Sequence, residues 1–135
     1  STSLLEGLVW GDRSARHIRG LEPAPLVDES AVPTWDISNA LYDTDPTLIQ
    51  GDMQTIRNLM WHYVGLVRSH YRLNRALREL HHLRREIEGF YRKSRLTDGL
   101  IGLRNSVQAA LIVADAARKN TLSRGCHYRE ENLSN

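Results

Sequence analysis

Apolar residues in the second half of the chain recur every three or four positions, which is the spacing of one face of an α-helix. Three such stripes follow one another: Ile56, Leu59, Met60, Tyr63, Val64 and Val67 in the first; Leu73, Ala76, Leu77, Leu80, Leu83, Ile87, Phe90 and Tyr91 in the second; and Leu100, Leu103, Val107, Ala110, Leu111, Ala114 and Ala117 in the third. Ser69 is placed to cap the second helix, and Thr97 or Asp98 to cap the third. No stretch has the alternation typical of a β-strand. The pattern predicts an all-α fold whose main part is an antiparallel three-helix bundle over residues 52–122.

A separate helix is predicted over residues 1–20. Ser3 is followed three positions later by Glu6, which is the spacing of a capping box, and apolar residues begin at Leu4. Gly20 is placed to end this helix. A chain seldom begins on the capping residue of an apolar helix, so we expect this chain to be a piece of a longer protein.

Residues 21–51 are predicted to form a connector, and residues 123–135 a tail. The connector holds all four prolines and is therefore too broken for a regular element. It is also too apolar for a flexible linker, because several large side chains in it need burial: Leu26, Val32, Trp35, Ile37, Leu41 and Tyr42. We expect a Pro-rich, extended segment that lies across a surface.

The chain has 135 residues, 41% hydrophobic and 25% charged, which is an ordinary globular composition that can bury one modest core. The single cysteine, Cys126, excludes an internal disulfide bond. No apolar run approaches the length that crosses a membrane, and no secretory leader is recognisable. From these features we expect a soluble cytoplasmic protein without a membrane partner.

The net charge of +2 hides an asymmetry along the chain. Residues 20–56 contain seven acids and no Lys or Arg, whereas residues 68–95 contain nine basic residues and three acids. Either the two regions attract each other, or the basic helix binds an anionic partner. We favour a solvated or intramolecularly paired basic face. Nucleic acid is not an expected partner, since no nucleic-acid-binding motif accompanies the arginines.

The sequence contains no complete active site. His81 and His82 are adjacent, so on a helix they point in different directions, and no other ligand stands at metal-binding spacing. Cys126 has His127 beside it, but a catalytic pair needs partners that meet in space. No nucleotide-binding or hydrolase motif is present. We therefore predict no catalytic and no metal-binding residue in this chain.

Three stretches resemble one family of flavoproteins, which includes fumarate reductase, succinate dehydrogenase and L-aspartate oxidase. STSLLEGLVWG (1–11) resembles the segment that reads SNSLLE in that family. LMWHYVGLVRS (59–69) resembles the start of its C-terminal helical domain, and SRGCHYRE (123–130) the stretch SRGxHxRxD after the last helix. RNSVQAALIVADAA (104–117) matches the third helix in character. The Met-Trp pair at 60–61 resembles the L-aspartate oxidase branch more than the succinate dehydrogenase branch.

The resemblance implies that the chain is the C-terminal portion of an L-aspartate oxidase, with residues 1–20 as the terminal helix of the flavin-binding domain. Such an enzyme oxidises L-aspartate to iminoaspartate by moving a hydride from Cα to N5 of FAD, in the first step of de novo NAD biosynthesis. Oxygen or fumarate then reoxidises the flavin, and a quinolinate synthase consumes the imine. The implied partner of this chain is its own flavin-binding domain. The isolated chain is expected to be inactive and not to bind FAD.

The resemblance assigns cofactor contact to Ser3 and Leu4. At these positions the family brings a helix N-terminus to the pyrimidine edge of the flavin. The positive end of a helix stabilises the negative charge that reduced flavin carries there. Thr2 stands where the family commonly has Asn, so a side-chain contact from that position is not carried over.

No catalytic role follows for the matching residues near the chain end. Arg124 and His127 are expected to anchor the helical domain, either to the flavin-binding domain or to the chain end. Arg68 is expected either to be buried and paired or to face the flavin-binding domain.

Two other functions stay open on the sequence. A succinate dehydrogenase or fumarate reductase flavoprotein has the same helical domain, and a stand-alone helical module would bind an anionic partner through its basic second helix. Without a flavin-binding domain, the first helix is expected either to self-associate through Leu4, Leu8 and Val9 or to be disordered.

Overall fold

The computed structural model describes residues 3–34, 36, 38 and 40–130, in two compact units that divide between residues 36 and 37. The described elements are α1 (Ser3–Arg19), a 3-10 turn (Glu29–Ala31), α2 (Pro46–Tyr63), β1 (Val67–Arg68), α3 (His70–Tyr91), α4 (Asp98–Lys119) and β2 (Tyr128–Arg129). Helix α1 and the 3-10 turn belong to the first unit, and the other elements belong to the second. The described chain is mostly helical, which confirms the predicted fold class to that extent.

Helix α1 is described from Ser3 to Arg19 and buries none of these residues. Its first turn carries Glu6 and its last turn carries basic side chains, which suits the partial charges of the helix ends. The Gly20 N–H donates to the His17 carbonyl just after the helix ends, which confirms the predicted stop. Ser3 is the first described residue of α1, so the predicted cap at Ser3 and its pairing with Glu6 stay a prediction.

The expected burial of the connector side chains is not found. Four of the six are described, and all four are exposed: Leu26 (100%), Val32 (62%), Leu41 (68%) and Tyr42 (58%). Trp35 and Ile37 lie outside the described residues. In the first unit the reason is architectural. Its described part has one helix and one 3-10 turn, so it has no second layer against which an apolar side chain can pack.

The end of the connector does lie across a surface, as predicted. The Leu41 N–H donates to the Lys93 carbonyl at 2.7 Å, and the Arg95 N–H donates to the Tyr42 carbonyl at 3.0 Å. These backbone bonds hold the segment against the loop between α3 and α4.

Helix α2 begins at Pro46, inside the range 21–51 that was predicted as connector. Asp45 caps the helix, because its carboxylate accepts from the Thr47 N–H at 2.8 Å. Proline suits the first helical position, because an N–H there would have no acceptor within the helix. The Asp-Pro pair thus marks the start of a helix and does not interrupt one. The helix ends before Val67, which continues the first apolar stripe in sequence but lies in β1.

Helices α2, α3 and α4 pack around one core, and the third stripe is buried completely. The predicted caps are confirmed, since Ser69 Oγ accepts from the Arg72 N–H and Thr97 Oγ1 accepts from the Leu100 N–H. The buried apolar residues among those described are Ile56, Val64, Leu73, Ala76, Leu77, Leu80, Ile87, Leu100, Leu103, Val107, Ala110, Leu111, Ala114 and Ala117.

Contacts between the helices give their relative directions. Glu88 and Tyr91, near the end of α3, both contact Arg104, near the start of α4. Tyr63, the last residue of α2, lies under the guanidinium of Arg75, near the start of α3. Successive helices of the second unit therefore run in opposite directions.

Strands β1 and β2 form a parallel pair in which Val67 pairs with Tyr128 and Arg68 pairs with Arg129. This pair corrects the prediction that the chain has no β-strand. Strands of two residues are too short to produce an alternation signal in the sequence. The pairing ties the segment after α4 to the segment between α2 and α3.

Helix α4 is long and apolar enough, by length and composition alone, to cross a membrane. This corrects the expectation that no run reaches that length. Core helices of folded domains meet the same criterion, and α4 buries seven side chains in a core that it shares with α2 and α3. Its apolar face is therefore accounted for by packing within the second unit.

Candidate functional site

Polar groups meet where β2 lies beside β1. We call them the C-terminal cluster: the side chains of Arg68, Ser123, His127 and Arg129 and the backbone carbonyl of Asn120. His127 joins two of them, because its Nδ1 lies 2.8 Å from Arg68 Nη1 and its Nε2 lies 2.8 Å from the Asn120 carbonyl oxygen. A guanidinium can only donate, so Nδ1 accepts, and Nε2 carries the proton that it donates to the carbonyl. The arrangement requires a neutral imidazole.

Arg68 holds the end of α2. Its Nε donates to the Val64 carbonyl at 3.2 Å and to the Gly65 carbonyl at 3.0 Å. A cation at this end of a helix stabilises the partial negative charge of the last carbonyl groups. Burial lowers the pKa of Arg68 from its ordinary value, but an arginine remains charged in proteins. Arg68 is half-buried and its guanidinium is hydrogen-bonded within the second unit, which favours the paired alternative for this residue.

Arg129 holds the end of α4 in the same way, and it is almost fully buried at 4% exposure. Its Nη1 donates to the carbonyl oxygens of Ala117 at 3.1 Å, Arg118 at 3.4 Å and Asn120 at 3.1 Å. Arg129 was not predicted to be a functional residue, because an arginine is seldom buried. The only signal for it in the sequence was its place in the SRGCHYRE stretch.

A tight turn brings β2 back to the end of α4. Arg124 and His127 exchange two backbone hydrogen bonds, of 2.9 and 3.0 Å, around Gly125 and Cys126. Gly125 has a φ of 55°, a conformation that other residues rarely adopt. The hydroxyl of Ser123 accepts from the Arg129 N–H at 2.9 Å and fixes the start of the strand.

The sequence stretches 59–69 and 123–130 therefore build one structural cluster. His127 anchors the chain end to the three-helix unit, which is one of the two alternatives expected for it. Arg124 contributes its backbone to the turn, and its side chain makes no hydrogen bond with the described part of the chain. The cluster fixes the ends of α2 and α4.

Ser3 and Leu4, the predicted cofactor contacts, lie in the exposed first turn of α1, and Leu4 is 85% exposed. The first N–H groups of a helix have no acceptor within the helix and suit an anionic or electron-rich ligand. An apolar groove follows from this turn along α1, and residues of this helix alone line it. Among the described residues, those of α1 present this helix end, and no other described element lines the groove beside it.

Asp52 is the described carboxyl group whose pKa is raised. The cause is first its burial and then the negative charge of Glu86, which faces it from α3. Perturbed carboxyl pKa values also occur at structural positions, so this shift alone does not mark an active site. Among the described residues, no three His, Cys, Asp or Glu side chains form a group that would hold a metal ion.

Replacing Asp52 by Asn is expected to make the protein more stable to urea at neutral pH. A carboxyl group whose pKa is higher in the folded state binds its proton more tightly there. Stability therefore falls as pH rises from the unfolded pKa of about 4 through the folded value. Urea unfolding of both proteins at several pH values tests this. The difference should vanish at low pH, and the exposed Asp43→Asn variant serves as control.

A second groove lies between α3 and α4, and we call it the arginine groove. Four arginines line it together with one acid and one amide: Arg84, Arg85, Glu88, Arg92, Arg104 and Gln108. Its volume is about 580 Å³. Three of its arginines, Arg84, Arg85 and Arg92, come from the second predicted helix.

The fold of the second unit and the C-terminal cluster define the class of protein. The sequence pattern of the family described as "Fumarate reductase flavoprotein C-term" matches residues 53–134, which include α3, α4 and the whole cluster. The chain belongs to this flavoprotein family.

Within the family the chain is similar to proteins named L-aspartate oxidase. It is 36% identical over 131 residues to L-aspartate oxidase 1 of Ralstonia nicotianae and 38% identical over 128 residues to that of Yersinia pestis. It is 37% identical over 135 residues to that of Halobacterium salinarum. The matches cover 95–97% of this chain and 24–25% of each relative. The chain thus spans about a quarter of the length of these relatives and corresponds to their C-terminal quarter. This confirms the resemblance stated on the sequence.

Proposed function

We propose that the chain is the C-terminal helical domain of an FAD-dependent L-aspartate oxidase that converts L-aspartate to iminoaspartate. The observation that carries the proposal is the match to relatives of that name over 95–97% of the chain, which includes both compact units. A match confined to the three-helix unit would have supported only the broader flavoprotein family.

In this proposal the chain has two tasks in the complete protein. The first turn of α1, with Ser3 and Leu4, contacts the pyrimidine edge of the flavin and favours its negatively charged reduced form. FAD, when bound, supplies the acceptor for the hydride of the substrate. The groups that bind and deprotonate the substrate belong to the rest of the protein, so the isolated chain is inactive and does not retain FAD.

The C-terminal cluster performs the second task, which is structural. Arg68 and Arg129 hold the ends of α2 and α4, and His127 joins the α2 end to the α4 end. The C-terminal ends of α2 and α4 are thereby fixed to each other. In this proposal they give the flavin-binding domain a rigid surface to pack on.

The remaining parts of the proposal rest on the resemblance alone. They are oxygen or fumarate as the electron acceptor and a quinolinate synthase as the next enzyme. A location in the cytoplasm rests instead on the sequence composition and its single cysteine.

The substrate is tested with the complete protein that carries this chain at its C-terminus. Anaerobic addition of L-aspartate is expected to bleach the absorbance of the oxidised flavin, whereas succinate is not. Bleaching by succinate alone would overturn the proposal in favour of a succinate dehydrogenase or fumarate reductase flavoprotein. Stoichiometric FAD binding by the isolated 135-residue chain would contradict its predicted dependence on the flavin-binding domain.

The contact at α1 is tested by the substitution Leu4→Asp in the complete protein. A negative charge at the helix N-terminus opposes the charge of reduced flavin, so we expect a more negative reduction potential and an FAD affinity about fivefold lower. An acid in the first turn stabilises the helix itself, so loss of α1 would not explain the result. The matched control is Leu26→Asp, at a fully exposed position, and equal effects of the two would refute the contact.

A further inference from the structure

The arginine groove gathers positive charge that the described chain does not neutralise. The guanidinium groups of Arg84, Arg85 and Arg92 form no ion pair or hydrogen bond with any described residue. Arg104 is different, since its Nε lies 2.7 Å from Glu88 Oε1 and its guanidinium lies over the Tyr91 ring. One pair is thus satisfied, and three cations remain around the same cavity.

Two of the other three arginines of α3 are already in use, and the third, Arg78, is exposed and lies outside the groove. Arg72 donates to the Val67 carbonyl, and Arg75 lies over the Tyr63 ring at 5.3 Å from its centroid. Intramolecular pairing, which the sequence favoured for the basic helix, therefore accounts for these two residues and not for the three in the groove.

The positions in the groove follow from helix geometry. Arg85 and Arg92 are seven residues apart and so lie on one face of α3, with Gly89 between them on that face. A Cβ added at Gly89 would meet no atom within 4 Å, so this position leaves the groove open. Gln108, one turn after Arg104 on α4, adds an amide that can donate to a ligand oxygen.

We propose that the arginine groove binds a small ligand through a phosphate or pyrophosphate group. Guanidinium groups present paired N–H donors that match phosphate oxygens and remain charged at every relevant pH. The volume of the groove, about 580 Å³, is within the range of small-molecule sites. The proposal does not depend on the flavin chemistry, because no residue of α1 or of the C-terminal cluster takes part in it.

The test is isothermal titration of the 135-residue chain with pyrophosphate, ADP and adenosine at low ionic strength. Pyrophosphate and ADP are expected to bind and adenosine is not, and affinity should fall as salt is added. Equal affinity for pyrophosphate and ADP would identify the phosphate group alone as the ligand, and tighter ADP binding would identify a nucleotide. Absence of pyrophosphate and ADP binding would overturn the proposal. The proposal would also be overturned if a single-stranded oligonucleotide bound more tightly than pyrophosphate and its affinity fell equally on replacement of any basic residue.

Charge variants locate the site. Arg85→Gln and Arg92→Gln are each expected to weaken pyrophosphate binding about three- to tenfold, since each removes one charge-assisted contact at an exposed position. Arg78→Gln is the matched control, because Arg78 is an exposed arginine of α3 that does not line the groove. Equal losses in all three variants would mean a diffuse charge effect and would refute the site.

A steric variant tests whether binding needs the open space of the groove as well as its charge. Gly89→Leu keeps every arginine and places a side chain in the open part of the groove, so it is expected to abolish binding of ADP and pyrophosphate. Far-UV circular dichroism checks that α3 is intact, and leucine has a higher helix propensity than glycine. Unchanged affinity in a folded Gly89→Leu variant would contradict a bound ligand between α3 and α4.

Discussion

Replacing Arg129 by methionine is expected to lower the free energy of unfolding of the chain by about 3 kcal/mol. Methionine fills much of the same space but donates no hydrogen bond, so the carbonyl groups of Ala117, Arg118 and Asn120 lose their shared donor. A polar group left unsatisfied in a buried place costs about 1–3 kcal/mol. Loss of the cation at the helix C-terminus adds about 0.3–1 kcal/mol.

Urea unfolding followed by far-UV circular dichroism measures this loss. Arg124→Met is the matched control, because Arg124 lies in the same turn with an exposed side chain, and its effect should stay within about 0.5 kcal/mol. Arg129→Lys keeps the charge without the planar fork and should fall between the two. If Arg124→Met costs as much as Arg129→Met, the cap at α4 is not the source of the stability.

The three-helix unit was predictable because each of its helices repeats one local signal many times. All seven apolar residues of the third stripe are buried, and both Ser69 and Thr97 cap the helices that follow them. The start of α2 was missed for a local reason. Proline disrupts the interior of a helix but favours its first position, and Pro46 lies at the first position.

The C-terminal cluster was not predictable from the chain in the same way. Arg68 and His127 are 59 positions apart, and no periodic pattern links them. The side chain of Arg129 is buried where β2 lies against the end of α4, a contact that exists only in the folded chain. The resemblance selected the stretches that contain these residues, but it did not assign their roles. The exposed first turn of α1 leaves the contact of Ser3 and Leu4 with FAD as a prediction.

Replacing Gly65 by alanine is expected to lower the free energy of unfolding by about 2 kcal/mol, although it adds a single methyl group. A Cβ at this position would lie 2.6 Å from the Trp61 carbonyl oxygen, which is closer than real Cβ atoms come to another atom. The obstacle is backbone, so no side chain can rotate away, and the end of α2 has to move. Because the Gly65 carbonyl accepts from Arg68, the shift also disturbs the C-terminal cluster.

The same substitution at Gly102 is expected to have the opposite sign. Gly102 lies inside α4, and a Cβ there would meet no atom within 4 Å. Alanine restricts the unfolded chain and favours the helix, so Gly102→Ala should raise stability by about 0.5–1 kcal/mol. Urea unfolding of the two variants beside the parent chain compares them directly. Two losses of equal size would show that the contact with Trp61 does not decide the result, whereas opposite signs would locate the constraint at the end of α2.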